Sequence, residues 1–422
     1  MFLSDSLQQI LKTYHEYPLQ FWLLLLGSFV DSLGAALVFP FFTLYISRRF
    51  QVDMTGVGLL IALFAITNLV GGILGGALAD RVGRKATLLM GLVVSGLSSL
   101  LMGWASSLRM LSLSILVVGL FAEAGGPARQ AMVADLLPER QRAQGFGLLR
   151  VVHNLAVVIG PAIGGLLAAS SFLWLFIGDA AASLLTAILV AAVIRETRPG
   201  SGSGADPGNL LQTMRGYGIV LRDGRFMAFV LMSMLVMLVS LQMNTSLPVY
   251  LADAHGVSAQ GFGYLLTLNA SMVVLLQFWL TRRTRPYPAL LVAALGGAVY
   301  GAGYALYGVV VGYGLFMVAM AIVTMGEMIF FPTVQALAAQ LSPVDMRGRY
   351  LAAYGFSWAI PAMVGPVLIG WIMDHADPRW AWYAAGVVGC LAAAGFIALH
   401  RQMGHLLPPT SQPGADAPDT SG

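Results

Sequence analysis

The amino-acid sequence predicts an all-α integral membrane protein: twelve transmembrane helices in two six-helix bundles related by pseudo-twofold symmetry. Three observations predict it: an apolar composition, a regular alternation of long apolar runs with short polar connections, and an internal repeat. Of 422 residues, 58% are hydrophobic and 10% charged, against roughly a quarter charged in an average soluble domain. A water-soluble fold of this size has too little polar surface to cover itself. A spanning helix takes about 20 apolar residues, so twelve spans and their connections use nearly the whole length and leave no separate soluble domain.

The apolar runs fall at residues 21–46, 57–79, 86–106, 110–136, 145–168, 173–194, 226–252, 260–280, 288–309, 313–340, 350–373 and 381–400. The first run is too long for the core of a signal peptide and is expected to persist as a helix. Alternate connections carry the basic residues: Lys12; Arg81, Arg84 and Lys85; Arg140 and Arg142; Arg195 to Arg225; Arg282, Arg283 and Arg285; Arg347 and Arg349; and Arg401. The opposite connections hold only Arg48, Arg49, Arg109 and Arg379. That bias places both termini in the cytoplasm of a cell that carries the protein in its plasma membrane. It also explains the formal charge of +4 without a nucleic-acid partner.

Residues 199–204, Pro-Gly-Ser-Gly-Ser-Gly, read as a flexible linker. The chain therefore divides into a cytoplasmic segment 1–20, a bundle 21–198, a linker 199–225, a second bundle 226–401 and a polar tail 402–422. A shift of 205 residues aligns Pro127 with Pro332, Gln130 with Gln335, Pro138 with Pro343, Arg142 with Arg347, Gly160 with Gly365, Pro161 with Pro366 and Gly165 with Gly370. A repeat that spans six helices gives both halves the same orientation and places a solute site between them, near the bilayer midplane.

After the second run comes Gly76-Ala-Leu78-Ala-Asp80-Arg81-Val-Gly83-Arg84-Lys85. Asp80 at the C-terminal end of its own helix opposes the helix dipole and calls for a basic side chain or another helix's N-terminus; Gly83 permits a tight turn. This stretch closely resembles the signature of the major facilitator superfamily between its second and third helices. The resemblance implies a latch of the outward-open state, carried here by Asp80 and Arg84, with Asp135 at the end of the fourth span as the partner of Arg84. In the fifth span, Ala156 to Gly165 with Gly160, Pro161, Gly164 and Gly165 resembles the motif of the superfamily's antiporter branches, including the twelve-helix drug:proton antiporters. Ala156 stands where that motif has its first Gly. Small residues allow close helix contact and Pro161 bends the helix. Gly365 and Pro366 repeat the core of the motif, so the pairs also read as symmetric hinges. Asp31-Ser-Leu-Gly34 followed by Pro40 is similar to a drug exporter's first helix. The fourth span has Glu123 where that branch has an Arg, and Arg129 lies nearly two turns further on.

Carboxylates within spans must face a cavity, pair or be protonated, because each ionised one at a lipid-facing helix centre costs roughly 2.5–3.5 kcal/mol. Asp31, Glu123 and Glu327 lie ten to fourteen residues into their runs, near mid-depth at 1.5 Å per residue, and the resemblance puts their helices innermost. They are expected to line one cavity, with Glu123 or Glu327 exchanging its proton for the solute; Asp31 either does the same or pairs with Arg129, Arg150 or His153. Asp179 reads as structural, outside the cavity. Arg150, His153 and Asn154 share a helix face and form either a polar patch or bonds to neighbouring helices. Gln242, Asn244, Asn269 and Gln277 are candidate solute contacts.

No His-Glu-x-x-His pair, Gly-x-Ser-x-Gly elbow or Walker loop occurs, so hydrolytic and ATP-driven readings lack their chemistry. Cys390 is alone and supports neither a disulfide nor a Cys-based metal site. The expectation is not an enzyme but a monomeric secondary transporter that needs no cofactor or metal and is driven by the proton gradient. Its cargo is a small amphipathic or drug-like solute leaving by antiport, or alternatively a sugar, amino acid or other metabolite.

Overall fold

The computed structural model describes residues 17–197, 218–343 and 346–403. Residues 1–16, 198–217, 344–345 and 404–422, which include most of the linker and the tail, lie outside these described residues. Within them the chain is helical throughout and holds twelve helices long and apolar enough to cross a membrane. They are α1 Leu19–Phe50, α2 Met54–Gly76, α3 Arg84–Gly103, α4 Leu108–Leu136, α5 Gln144–Ser170, α6 Leu173–Val193, α7 Gly224–Met243, α8 Ala259–Thr284, α9 Ala289–Tyr307, α10 Tyr313–Gln340, α11 Arg349–His375 and α12 Arg379–Met403. The boundaries match the apolar runs to within a few residues except where polar ends continue the helix: α2 runs on to Arg81, and α5 begins at Glu139.

Local chemistry sets the starts. Asp53 accepts a hydrogen bond from the Gly56 N–H at 2.9 Å to cap α2, Ser107 caps α4 through Met110 at 3.3 Å and Asp223 caps α7 through Phe226 at 3.1 Å. The outer surface is apolar, with Leu275, Ile73 and Phe278 each about 70% exposed, the reverse of a water-soluble surface.

Three apolar runs that read as continuous are interrupted. A 3-10 turn at Phe39–Phe41 breaks α1 around Pro40. In α4 the helix stops at Phe121 and resumes at Gly125. Pro127 causes this, because a proline within a helix has no N–H to give the carbonyl four residues back and its ring crowds that carbonyl. The residue four back is Glu123, whose carbonyl accepts instead from the Gly126 N–H at 3.0 Å. The run 226–252 ends its helix at Met243 and turns before a short helix, Leu247–His255. The repeat partner of Pro127, Pro332 in α10, frees the Met328 carbonyl by the same rule. There the Gln277 side chain donates to it at 3.0 Å and the helix stays continuous.

By contacts the chain forms two compact units, residues 1–206 with 243–267 and 366–370, and residues 207–242 with 268–365 and 371–422. In the first, glycines bring helices close. Gly160 lies against Ala36 of α1, and a Cβ on Gly164 would come within 2.7 Å of the Leu37 carbonyl oxygen. Gly165 faces the start of α8, where a Cβ on it would meet the Gly263 Cα at 3.0 Å. In the same unit, a Cβ on Gly58 would meet the Pro366 carbonyl carbon at 2.7 Å, and Gly370 lies against Met54. The 205-residue shift turns Gly165 into Gly370 and Gly58 into Gly263, so the repeat relates the contacts as well as the sequences. In the second unit a buried aromatic column, Tyr300, Tyr304, Tyr307, Phe316 and Trp382, packs α9, α10 and α12, and the Tyr300 hydroxyl bonds Ser240 at 2.9 Å.

Candidate functional site

A cavity of about 640 Å³ opens within the first unit, lined from α1 to α6. Its apolar wall includes Phe39, Phe42, Ile61, Phe64, Phe146 and Leu149, and its polar groups include Asp31, Asn68, Glu123, Arg129, Arg150, His153 and Asp179. The central contact is an ion pair: Arg129 Nη2 donates to Asp31 Oδ2 at 2.6 Å, with the two side chains 18% and 19% exposed. The other carboxylate oxygen, Asp31 Oδ1, accepts from Ser183 Oγ at 3.0 Å, and Ser183 in turn lies 3.4 Å from Ser95. Of the two roles open to Asp31 in the sequence, this structure displays the paired one. Arg129 is the fifth residue of the helix that resumes after the break in α4. Glu123, in the break itself, is hydrogen-bonded by Asn68 of α2, and the His153 ring lies 3.3 Å from Ser32 Oγ.

Arg150 and His153 therefore share the cavity, while Asn154 is exposed outside its lining. Asp179 corrects the reading from sequence. It lines the cavity, bonds Ser99 and comes so close to α1 that a Cβ on Gly34 would sit 2.9 Å from its Oδ1. Sequence reading also passed over Ser95, Ser183 and Asn68. A signal for the serines exists: Ser95 and Ser99, and Asp179 and Ser183, are each four residues apart, one polar stripe on an apolar helix.

Glu327 belongs to the second unit. Its Oε2 accepts from Asn269 Nδ2 at 2.7 Å, and the same amide reaches Thr324 Oγ1 at 3.0 Å. Two proposed solute contacts have structural duties. Gln277 bonds the Met328 carbonyl and Thr281; Gln242, 1% exposed, donates to the Leu238 carbonyl at 2.9 Å and packs at Gly365. Asn244 is half-buried in the turn after α7.

At the loop between α2 and α3, Arg84 pairs with Asp135, the partner proposed from sequence. Gly83 has φ +121°, and the α3 N-terminus it opens is capped from across the bundle. The Glu196 carboxylate, just past α6, accepts the N–H groups of Arg84 at 3.0 Å and Lys85 at 3.2 Å, while Lys85 Nζ donates to the Ala191 carbonyl at 2.8 Å. A carboxylate suits a helix N-terminus electrostatically. The side chain of Asp80 lies outside the described residues and Arg81 is exposed. Gly76 has nothing within 4 Å of an added Cβ; its neighbour Gly75 makes the tight approach, to Ala124 of α4. Gly83→Ala is expected to cost about 2 kcal/mol, from the left-handed backbone and from a Cβ placed 2.6 Å from Glu196 Oε2. Because Glu196→Ala removes the cap together with the clash, the steric part is read as the cost of Gly83→Ala in wild type less its cost in a Glu196→Ala background, by thermal unfolding of the four proteins; equal melting of Gly83→Ala and wild type would refute both causes.

Twelve apolar helices and an aromatic-lined polar cavity define a multi-pass membrane protein with room for a small molecule. The chain matches the family model of the Major Facilitator Superfamily over residues 24–365 and again over 329–419, and it belongs to that superfamily. It is 29% identical over 408 residues to a Na(+), Li(+), K(+)/H(+) antiporter of Planococcus maritimus, covering 89% of this chain and 94% of the relative. It is 27% identical over 395 residues to multidrug resistance protein MdtH of Escherichia coli, covering 90% and 92%. The fold is shared with a POT family transporter crystallised with 5-aminolevulinic acid, at a TM-score of 0.75 and 14% identity over 92% of this chain and 97% of that one.

Proposed function

We propose that the protein is a proton-coupled antiporter that exports small amphipathic or drug-like solutes by alternating access between two six-helix bundles. The observation that carries this is the cavity itself, in which a charge-paired Asp31 and Arg129 and a separate carboxylate, Glu123, face an apolar, aromatic wall. An amphipathic solute finds apolar surface there, and Glu123 offers a site that a proton and a cationic group would occupy in turn. In this reading Arg84 and Asp135, with Asp80, latch one state. The glycine contacts of Gly165 and Gly370 let helices close against one another and Pro161 and Pro366 act as hinges. The protein works as a monomer in the plasma membrane, with both termini cytoplasmic, and needs no cofactor beyond the proton gradient.

A second cargo, a monovalent inorganic cation, is favoured by the oxygens of Asp31, Asp179, Ser183 and Ser95, which lie beside the Arg129 guanidinium at the cavity, since hard cations prefer oxygen donors. The relative from Planococcus maritimus is named for such an exchange. One experiment separates these readings: purified protein in liposomes carrying a pH-sensitive dye, challenged with lipophilic cations, Na+, Li+, K+, sugars and peptides. Proton release from acid-loaded vesicles on adding a lipophilic cation supports drug antiport; release with alkali cations alone favours the second cargo. Inward proton flow with a sugar or peptide overturns both.

A further inference from the structure

The outward face of α8 ends in two parallel stripes, each running from aliphatic to aromatic to arginine at intervals of four residues: Val274, Phe278, Arg282 and Leu275, Trp279, Arg283. Residues four apart stack on one helix face, so the stripes lie side by side. They are open: Val274, Leu275, Phe278 and Trp279 are 64%, 75%, 69% and 59% exposed. The Arg282 guanidinium is held 4.4 Å over the Phe278 ring centroid. Among the described residues neither Arg282 nor Arg283 has a carboxylate partner. No Asp or Glu occurs in the sequence between Asp253 and Glu327, so no acid near in sequence neutralises Arg282 and Arg283. The basic residues of two other connections are committed within the protein, Arg84 to Asp135 and Arg142 to the Ala134 carbonyl.

We infer that the C-terminal end of α8 is a binding site for an anionic phospholipid, its phosphate held by Arg282 and Arg283 and its acyl chain laid along Val274, Leu275 and Phe278. Eight residues of helix separate Val274 from Arg282, about 12 Å along the axis, which orders the groups as a lipid orders its own: chain, interface, headgroup. Trp279 stands at the interface, where indole rings prefer to sit. Each guanidinium offers a planar fork of donors to phosphate oxygens, a geometry that an ammonium group lacks. The cation–π contact fixes Arg282 at the top of the apolar column before any lipid arrives.

The test uses the full-length protein purified in a neutral detergent and native mass spectrometry with dioleoyl-phosphatidylglycerol, dioleoyl-phosphatidylcholine and soluble glycerol phosphate as probes. Wild type should retain phosphatidylglycerol selectively. With about 1 kcal/mol per basic residue near an anionic surface, Arg282→Gln combined with Arg283→Gln should bind it about thirtyfold more weakly. Arg282→Lys with Arg283→Lys keeps the loop's positive charge, hence its membrane orientation, but loses the fork geometry, and should weaken binding at least threefold. Melting in phosphatidylcholine alone confirms that each variant is folded. Equal retention by wild type and the glutamine pair overturns the site. Full retention by the lysine pair reduces it to unspecific attraction and also overturns it, as does equal competition by glycerol phosphate, which would make the headgroup alone the ligand.

Discussion

Replacing Arg129 by methionine is expected to destabilise the protein by about 3 kcal/mol, and adding Asp31→Asn to restore most of that loss. Breaking a largely buried ion pair leaves one charge without compensation, which costs far more than removing both partners together. The Asp31 carboxylate would keep its hydrogen bond from Ser183 but face the apolar wall with its charge unneutralised. Under the proposed mechanism, transport driven by a pH gradient is lost in the single variant and in the double one, so stability and coupling come apart. Thermal unfolding of purified protein and uptake into acid-loaded vesicles read the two quantities. A single variant that melts like wild type would show the pair to be energetically idle. Coupled transport in the double variant would show the pair to be dispensable for handling the solute.

The second large effect concerns the carboxylates without an arginine partner. Glu123→Gln and, separately, Glu327→Gln are each expected to reduce pH-gradient-driven flux by about a hundredfold, the lower range of what a positioned proton-transfer group contributes. Both variants should fold, because glutamine has the same shape and keeps an acceptor for Asn68 at one site and for Asn269 at the other. Solute counterflow at equal pH on both sides should survive, since it needs binding and alternation but no proton. If gradient-driven uptake is unchanged in one variant, that carboxylate is not the carrier; if counterflow also fails, the residue serves binding or folding instead.

The membrane class and the twelve spans were legible in the sequence because each rests on a one-dimensional signal, whereas the pairing of Arg84 with Asp135 was implied by the family resemblance of the loop motif. A span is a run of about 20 apolar residues whatever its neighbours do, and the loop motif is contiguous. The cavity was legible only in part. Asp31, Glu123, Arg150 and His153 stood out as polar groups where lipid permits none, and the structure gathers all four. Asp179 stood out equally, yet which side of α6 it faces depends on how that helix is rotated against α1 and α3.

What the sequence determined by itself is therefore the kind of protein: hydrophobic length, loop charge and the 205-residue repeat are properties of the chain alone. What only the tertiary structure decided is who meets whom. Arg129 spans to Asp31 because Pro127 breaks α4 just before it, Gln277 turns from a solute contact into the cap of a carbonyl freed by Pro332, and Glu196 closes the start of α3 from more than a hundred residues away. Hydrogen bonds and ion pairs act over about 3 Å, whereas sequence separation carries no information about such distances once helices pack. Only the packed helices wall the cavity with Phe39, Phe42 and Phe64 and bring Asp31 and Arg129 together inside it.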